Sequence, residues 1–138
     1  MTYALDTNII SFLLRPSQNQ DVVGRFEKAI EQGASYVIPP ICFYEISWYL
    51  QRKAAKAQLK VLESLYRNSA AKLNMGEAEF VLAAKIKAQL ENQGTPIGAK
   101  DADIFIAAYC IVNDCTLITD NTKDFERIEG LNCANWKG

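Results

Sequence analysis

Short apolar runs and longer periodic ones take turns along this chain, and the alternation predicts its architecture. Tyr3-Ala4-Leu5 is apolar, stops at Asp6 and reads as a buried strand. Positions 8–15 read as a short helix halted by Pro16. Val22, Phe26 and Ile30 recur every four residues, the stripe of an amphipathic helix from Asp21 to Ile30 that Gly33 closes. Tyr36-Val37-Ile38 is the second strand. Pro39-Pro40 opens the helix after it, where proline's missing N–H costs nothing. That helix turns Phe43, Ile46 and Leu50 inward and carries Glu45 on its first turns. Another helix covers about 54–68, with Leu59, Leu62 and Tyr66 on one side. Asn74 and Glu77 stand three apart, like a capping box, before a helix striped by Leu82, Ile86 and Leu90 that Gly94 and Pro96 end. Ala102 to Val112 is apolar almost all round, which predicts a buried helix. Cys115 to Thr119 is a third strand, a short helix follows near 122–127, and a last strand falls near 131–134.

Strands alternating with helices imply an α/β fold: a central, mainly parallel sheet with helices on both faces, three α/β/α layers in all. No repeat, low-complexity tract or linker interrupts the pattern, so residues 1–138 read as one domain. Ligands of such sheets bind beyond the carboxyl ends of the strands. Asp6 and Asp120 fall there, each just after an apolar strand, while Glu45 sits early on a helix and Asp103 begins the buried one. Four acids from distant segments can therefore meet at one rim of the sheet.

Composition narrows the chemistry. The chain has no histidine, which excludes ribonuclease chemistry built on an imidazole acid and base. Carboxylates at the edge of apolar runs are costly to desolvate unless something compensates them. Hard divalent cations do so and prefer oxygen ligands. Such an ion also lowers the pKa of a water and polarises a phosphate, the two needs of phosphodiester hydrolysis. Thr7, Asn8, Thr119 and Asn121 are neutral neighbours able to orient carboxylates. Each acid has a plain structural reading too. Asp101 is a good N-cap for a helix starting at Ala102, Asp103 and Asp124 suit first turns, and Asp6-Thr7-Asn8 could be a turn.

The net charge of −1 gives no overall attraction for nucleic acid. Arg52, Lys53, Lys56 and Lys60 form the densest positive stretch, read first as a solvated helix face and second as a patch facing RNA or a partner. Cys42, Cys110, Cys115 and Cys133 lack metal-site spacing and read as buried small hydrophobes. No apolar run approaches the roughly 20 residues of a membrane span. The first residues lack the pattern of a signal peptide, so a cytoplasmic protein is expected.

With these residues in place the chain resembles the PIN-domain nucleases, and within them the VapC-type toxins of bacterial toxin–antitoxin pairs. The resemblance is carried by Leu5-Asp6-Thr7-Asn8, by Glu45 within Pro39 to Glu45, and by Gly94-Thr95-Pro96-Ile97. It continues through Asp101-Ala102-Asp103 before Ile106-Ala107-Ala108, Thr116 to Asn121 with Asp124-Phe125, Gly130-Leu131 and Asn135-Trp136. It implies Asp6, Glu45 and Asp103 as the acids, with Asp120 as a fourth; Asp103 is preferred to Asp101 because the family's third acid stands three residues before Ile-Ala-Ala. Asp101 could still act through water. The resemblance further implies Mg²⁺ or Mn²⁺ and cleavage of structured RNA, of the tRNA or rRNA class, at a single-stranded site, so that translation stops. It also implies a homodimer, a small VapB-type antitoxin and a larger complex with it. The helices of 41–68, with Phe43, Trp48, Tyr49 and Tyr66, are the candidate docking surface, the alternative being that these aromatics are core or dimer contacts. Rival readings are a catalytically degenerate PIN-like binding module and a PIN nuclease of RNA processing. A dehalogenase-type phosphatase would need a second Asp where Asn8 stands, and a phospho-receiver domain has no use for Glu45 on a helix.

Overall fold

The computed structural model describes residues 1–94 and 101–138. Four short strands form its sheet: β1 (Thr2–Leu5), β2 (Ser35–Val37), β3 (Thr116–Ile118) and β4 (Cys133–Ala134). All pair in parallel, in the order β2-β1-β3-β4, with Ala4 facing Val37 on one side and Leu117 on the other. Seven α-helices lie among the described residues. They are α1 (Thr7–Leu13), α2 (Gln20–Glu31), α3 (Pro40–Arg52), α4 (Lys56–Arg67), α5 (Glu77–Asn92), α6 (Asp101–Val112) and α7 (Thr122–Phe125).

Successive side chains on a strand point to opposite faces of the sheet. Ala4 and Leu5 are both fully buried, as are Leu117 and Ile118. Both faces of the two central strands are therefore covered, and the three-layer α/β/α arrangement follows. From α6 the fully buried Ala107, Ala108 and Cys110 join the core, which explains why that helix is apolar nearly all round. All four cysteines are free, and Cys42, Cys110 and Cys115 are buried, as small hydrophobes would be.

Several boundaries differ from the sequence pattern for local reasons. Pro16 does not simply stop α1; it begins a 3-10 turn over Pro16–Gln18. Ala54 ends α3 in a left-handed conformation, φ 52°, so the next helix starts at Lys56 rather than 54. The cap of α5 is not Asn74 with Glu77. Gly76 occupies that place, and its N–H donates to the Glu79 carboxylate at 3.3 Å. Asp101 is the first residue of α6 rather than the residue before it. Gly94 follows α5 at φ +71°, the left-handed geometry that favours glycine after a helix. Pro96 and the rest of the Thr95–Ile97 motif lie outside the described residues.

Candidate active site

β1 delivers Asp6 to the rim of the sheet. Its backbone N–H still donates to Ile118 O at 2.9 Å, so the residue is tied to β3 as the strand ends. Its side chain turns back to cap α1, with Oδ1 accepting from the Thr7 N–H at 2.8 Å. Oδ2 accepts from the Thr119 hydroxyl at 2.7 Å, and the Cys42 thiol lies 3.7 Å from Oδ1. Asp6 is only 6% exposed. Burial pushes its carboxyl above the usual range; the Thr119, Thr7 and Cys42 donors oppose that shift, and the charge of Glu45 adds to it.

Glu45 arrives from α3, where the Thr7 hydroxyl donates to its Oε1 at 2.8 Å. Thr7 thus serves Asp6 through its backbone and Glu45 through its side chain. Asp103 comes from the first turn of α6 and Asp124 from α7. The Asn121 amide donates to Asp124 Oδ2 at 2.8 Å. Asp6, Glu45, Asp103 and Asp124 line one open cavity of about 720 Å³, shared with Asn8 and Asn121.

The donor set suits a hard cation, because every polar side chain on that list presents oxygen. Asn8 adds a more pointed observation: its Oδ1 is buried and meets no hydrogen-bond donor in the protein. An orphaned oxygen beside gathered carboxylates is what a hydrated divalent ion would satisfy. Among the described residues no three acidic or sulfur side chains stand close enough to hold an ion by themselves. Mg²⁺ does not require that, since it keeps several waters and takes one or two carboxylates directly. The residues present fit such an ion.

Residues 3–131 match the family profile of the PIN domain. This chain belongs to the PIN-domain family. It is 29% identical over 144 residues to Ribonuclease VapC2 of Haemophilus influenzae, covering 99% of this chain and 98% of that protein. To the tRNA(fMet)-specific endonuclease VapC of Shigella flexneri it is 27% identical over 137 residues, with the same coverage. VapBC2 from Rickettsia felis, solved bound to a DNA fragment from their promoter, contains a chain that superposes with a TM-score of 0.83 at 21% identity. That superposition spans 99% of this PIN domain and 100% of the other chain. The likeness is therefore of the VapC type along the whole chain.

The geometry sorts the sequence candidates of this PIN domain. Asp6, Thr7, Asn8, Glu45, Asp103, Asn121 and Asp124 line the cavity. Thr119 is fully buried behind it, bonding Asp6 and accepting from the Asn121 N–H at 3.0 Å. Asp120 is exposed and lies outside the lining; its Oδ1 accepts from the Asn8 amide. The turn after β3 explains the exchange, because Thr119 captures the backbone of Asn121 and brings Asp124 round instead. Asp101 also lies outside the lining, its carboxylate 2.9 Å from Lys87 Nζ on α5.

Two further sets of residues belong to the site. Cys42 touches Asp6 from α3, which its burial alone does not announce. Ser11, Tyr44, Trp48 and Tyr49 share the lining with the acids. Of the four aromatics read as a docking surface, Phe43 and Tyr66 pack on each other at 5.3 Å against the core, while Trp48 and Tyr49 are exposed. The four-residue spacing of Tyr44 and Trp48 along α3 was a signal the sequence did carry.

Proposed function

We propose that this PIN domain is a divalent-metal-dependent endoribonuclease, the toxin of a toxin–antitoxin pair, acting on structured RNA of the tRNA or rRNA class. The observation that carries the reading is the meeting of Asp6, Glu45, Asp103 and Asp124, from four separate elements, in one open cavity. Mg²⁺ or Mn²⁺ is the cofactor of this proposal, held by Asp6, Glu45 and Asp103 directly or through water. When bound, the ion lowers the pKa of a water and polarises the phosphate. The chain's own part is to hold and orient. Thr119 and the Thr7 N–H keep the buried Asp6 carboxylate in one rotamer, and the Thr7 hydroxyl keeps Glu45 beside it. Asn121 fixes Asp124, and Asp120 steadies Asn8 so that the Asn8 oxygen stays available. Asp103 completes the acidic lining from the first turn of α6.

The partner is a VapB-type antitoxin, for which the complexes VapBC2 of Rickettsia felis and VapBC-1 of Haemophilus influenzae speak. A homodimer, a larger complex with the antitoxin and a cytoplasmic setting complete the proposal. No helix among the described residues is long and apolar enough to cross a membrane. The Shigella relative is named for tRNA(fMet), so initiator tRNA is the first substrate to assay. Cleavage is expected with Mg²⁺ or Mn²⁺ and should disappear with a chelator or in the Asp103→Asn protein. A folded chain that binds antitoxin yet cuts no RNA with either ion would make it a binding module instead.

A further inference from the structure

Three large aromatic side chains stand in solvent on one face of α3: Tyr44 at 68% exposure, Trp48 at 54% and Tyr49 at 37%. Tyr44 and Trp48 are four residues apart and so neighbours on the helix, while Tyr49 sits a step round from Trp48. All three line the acidic cavity. Tyr44 and Trp48 also line a second depression of about 680 Å³, with Phe43, Leu73 and Arg52. The aromatic surface is therefore a wall shared by two adjoining hollows, one floored by carboxylates and the other mainly apolar.

Cations gather on the same wall. The Arg52 guanidinium lies 4.7 Å from the Trp48 ring centre and 5.9 Å from that of Tyr49, and Lys53 Nζ lies 4.9 Å from the Tyr49 ring. The Tyr49 phenol is held below its ordinary range by Lys53 first, with Arg15 and Arg52 adding their charge. Arg52 and Lys53 thus flank the Tyr49 ring at the edge of an acidic floor, and Arg15 reaches Ser11 of the same cavity lining, in a chain whose net charge is only −1. That separation of charge suits a strand of phosphates. Its scissile phosphate needs the acids through a cation, and the phosphates next to it need cations of the protein.

We infer that, given the nuclease reading above, the Tyr44–Trp48–Tyr49 face of α3 is a stacking wall that seats unpaired RNA bases beside the acidic cavity, with Arg15, Arg52 and Lys53 holding the adjoining phosphates. Every base has a flat apolar face, so such a wall accepts single strands with little regard to sequence. Paired bases, stacked inside a duplex, cannot reach it. The wall thereby selects a loop or a splayed junction before any base is read. Tyr44, Trp48 and Tyr49 are positioning residues in this scheme and take no part in bond breaking.

The test uses the intrinsic emission of Trp48. The chain has two tryptophans, so Trp136→Phe leaves Trp48 alone, and Asp103→Asn prevents cleavage during titration. Unlabelled single-stranded decamers of uridylate and adenylate, added with Mn²⁺, are expected to quench Trp48 saturably. Trp48→Leu should weaken the binding of fluorescein-labelled decamers roughly 5- to 100-fold, and Trp48→Phe should restore most of it. In the enzyme with its acids intact, Trp48→Leu should raise KM far more than it lowers kcat. Arg52→Gln and Lys53→Gln should each flatten the logarithmic salt dependence of binding by about 0.7. Binding without quenching, no binding at all, or Trp48→Leu binding as tightly as its parent would overturn the wall. If Trp48→Leu keeps its RNA affinity but escapes a coexpressed inhibitor, the face belongs to a protein partner and the inference fails. Quenching by decamers in a chain that never cleaves RNA would leave the wall standing and remove the nuclease reading.

Discussion

Asp6 is the residue on which fold and chemistry oppose each other. It is 6% exposed, its two oxygens are engaged by Thr119 and Thr7, and burial still raises its pKa. A carboxyl whose folded pKa lies above its unfolded value is penalised when ionised in the folded state. Its contribution to stability is present below the unfolded pKa and is lost as pH rises through the folded one. Asp6→Asn keeps an oxygen for the Thr7 N–H and removes the charge. In metal-free buffer the variant should melt above wild type at pH 7–8, with the gap closing as pH falls toward 4. RNA cleavage should vanish at every pH. A wild-type protein that melts higher than Asp6→Asn at pH 8 would show that the hydrogen bonds outweigh the burial. Thr119 supplies the counterpart. Thr119→Val deprives buried Asp6 of a donor and the Asn121 N–H of an acceptor, for which about 1–3 kcal/mol is expected. Denaturant melts should show a smaller loss in the Asp6→Asn background, because the two positions share one interaction.

At the scale of elements, the first turn of α6 divides two similar acids. Asp101 and Asp103 are two residues apart, which on a helix turns them to different sides. Asp101 meets Lys87 of α5, and Asp103 meets the cavity. The Lys87–Asp101 pair is well exposed, so Asp101→Asn should leave RNA cleavage close to wild type while Asp103→Asn removes it. Comparable losses in the two variants would place Asp101 in the site. Much of this arrangement was legible in the sequence. The strands are short apolar runs, the helices carry three- and four-residue periods, Asp6 and Asp103 stand where such elements end or begin, and Glu45 lies in the second turn of its helix. What was not legible depended on turns. Asp120 stands at the strand end and reads as the fourth acid, with Asp124 only a first-turn residue; in the folded chain Asp120 accepts from Asn8 and Asp124 lines the cavity, after a turn in which the Asn121 N–H donates to Thr119. Asn74 looked like a cap by its spacing, yet Gly76 takes that place because Glu79 reaches back to its N–H. Asn8, read as a neutral helper, is distinguished only by burial, since no pattern reveals an oxygen that lacks a donor.

For the whole molecule, the parallel order β2-β1-β3-β4 is what lets one rim serve as a site. Parallel strands all end on the same side, so β1 and β3 release Asp6 and the Thr119–Asp124 turn next to each other. The elements that supply the other acids start from that neighbourhood as well, α3 shortly after β2 and α6 ahead of β3. Convergence of this kind has a cost when the site is empty, because gathered carboxylates repel and at least one of them is desolvated. An ion that binds only the folded state removes the repulsion and stabilises by mass action, by about 2.7 kcal/mol at a hundred times its Kd. Adding Mn²⁺ or Mg²⁺ should therefore raise the melting temperature, by roughly 3–5 °C for each kcal/mol at this chain length. Excess chelator should reverse the rise. Asp103→Asn should blunt it, and Asp101→Asn should not, which separates binding at the cavity from loose association with surface acids. The contrast with Asp6→Asn is the sharper control: that protein should be the more stable one without metal and gain less when metal is added. Equal shifts in all three variants, or none in wild type at millimolar Mn²⁺, would remove the ion from this cavity and with it the metal-dependent mechanism.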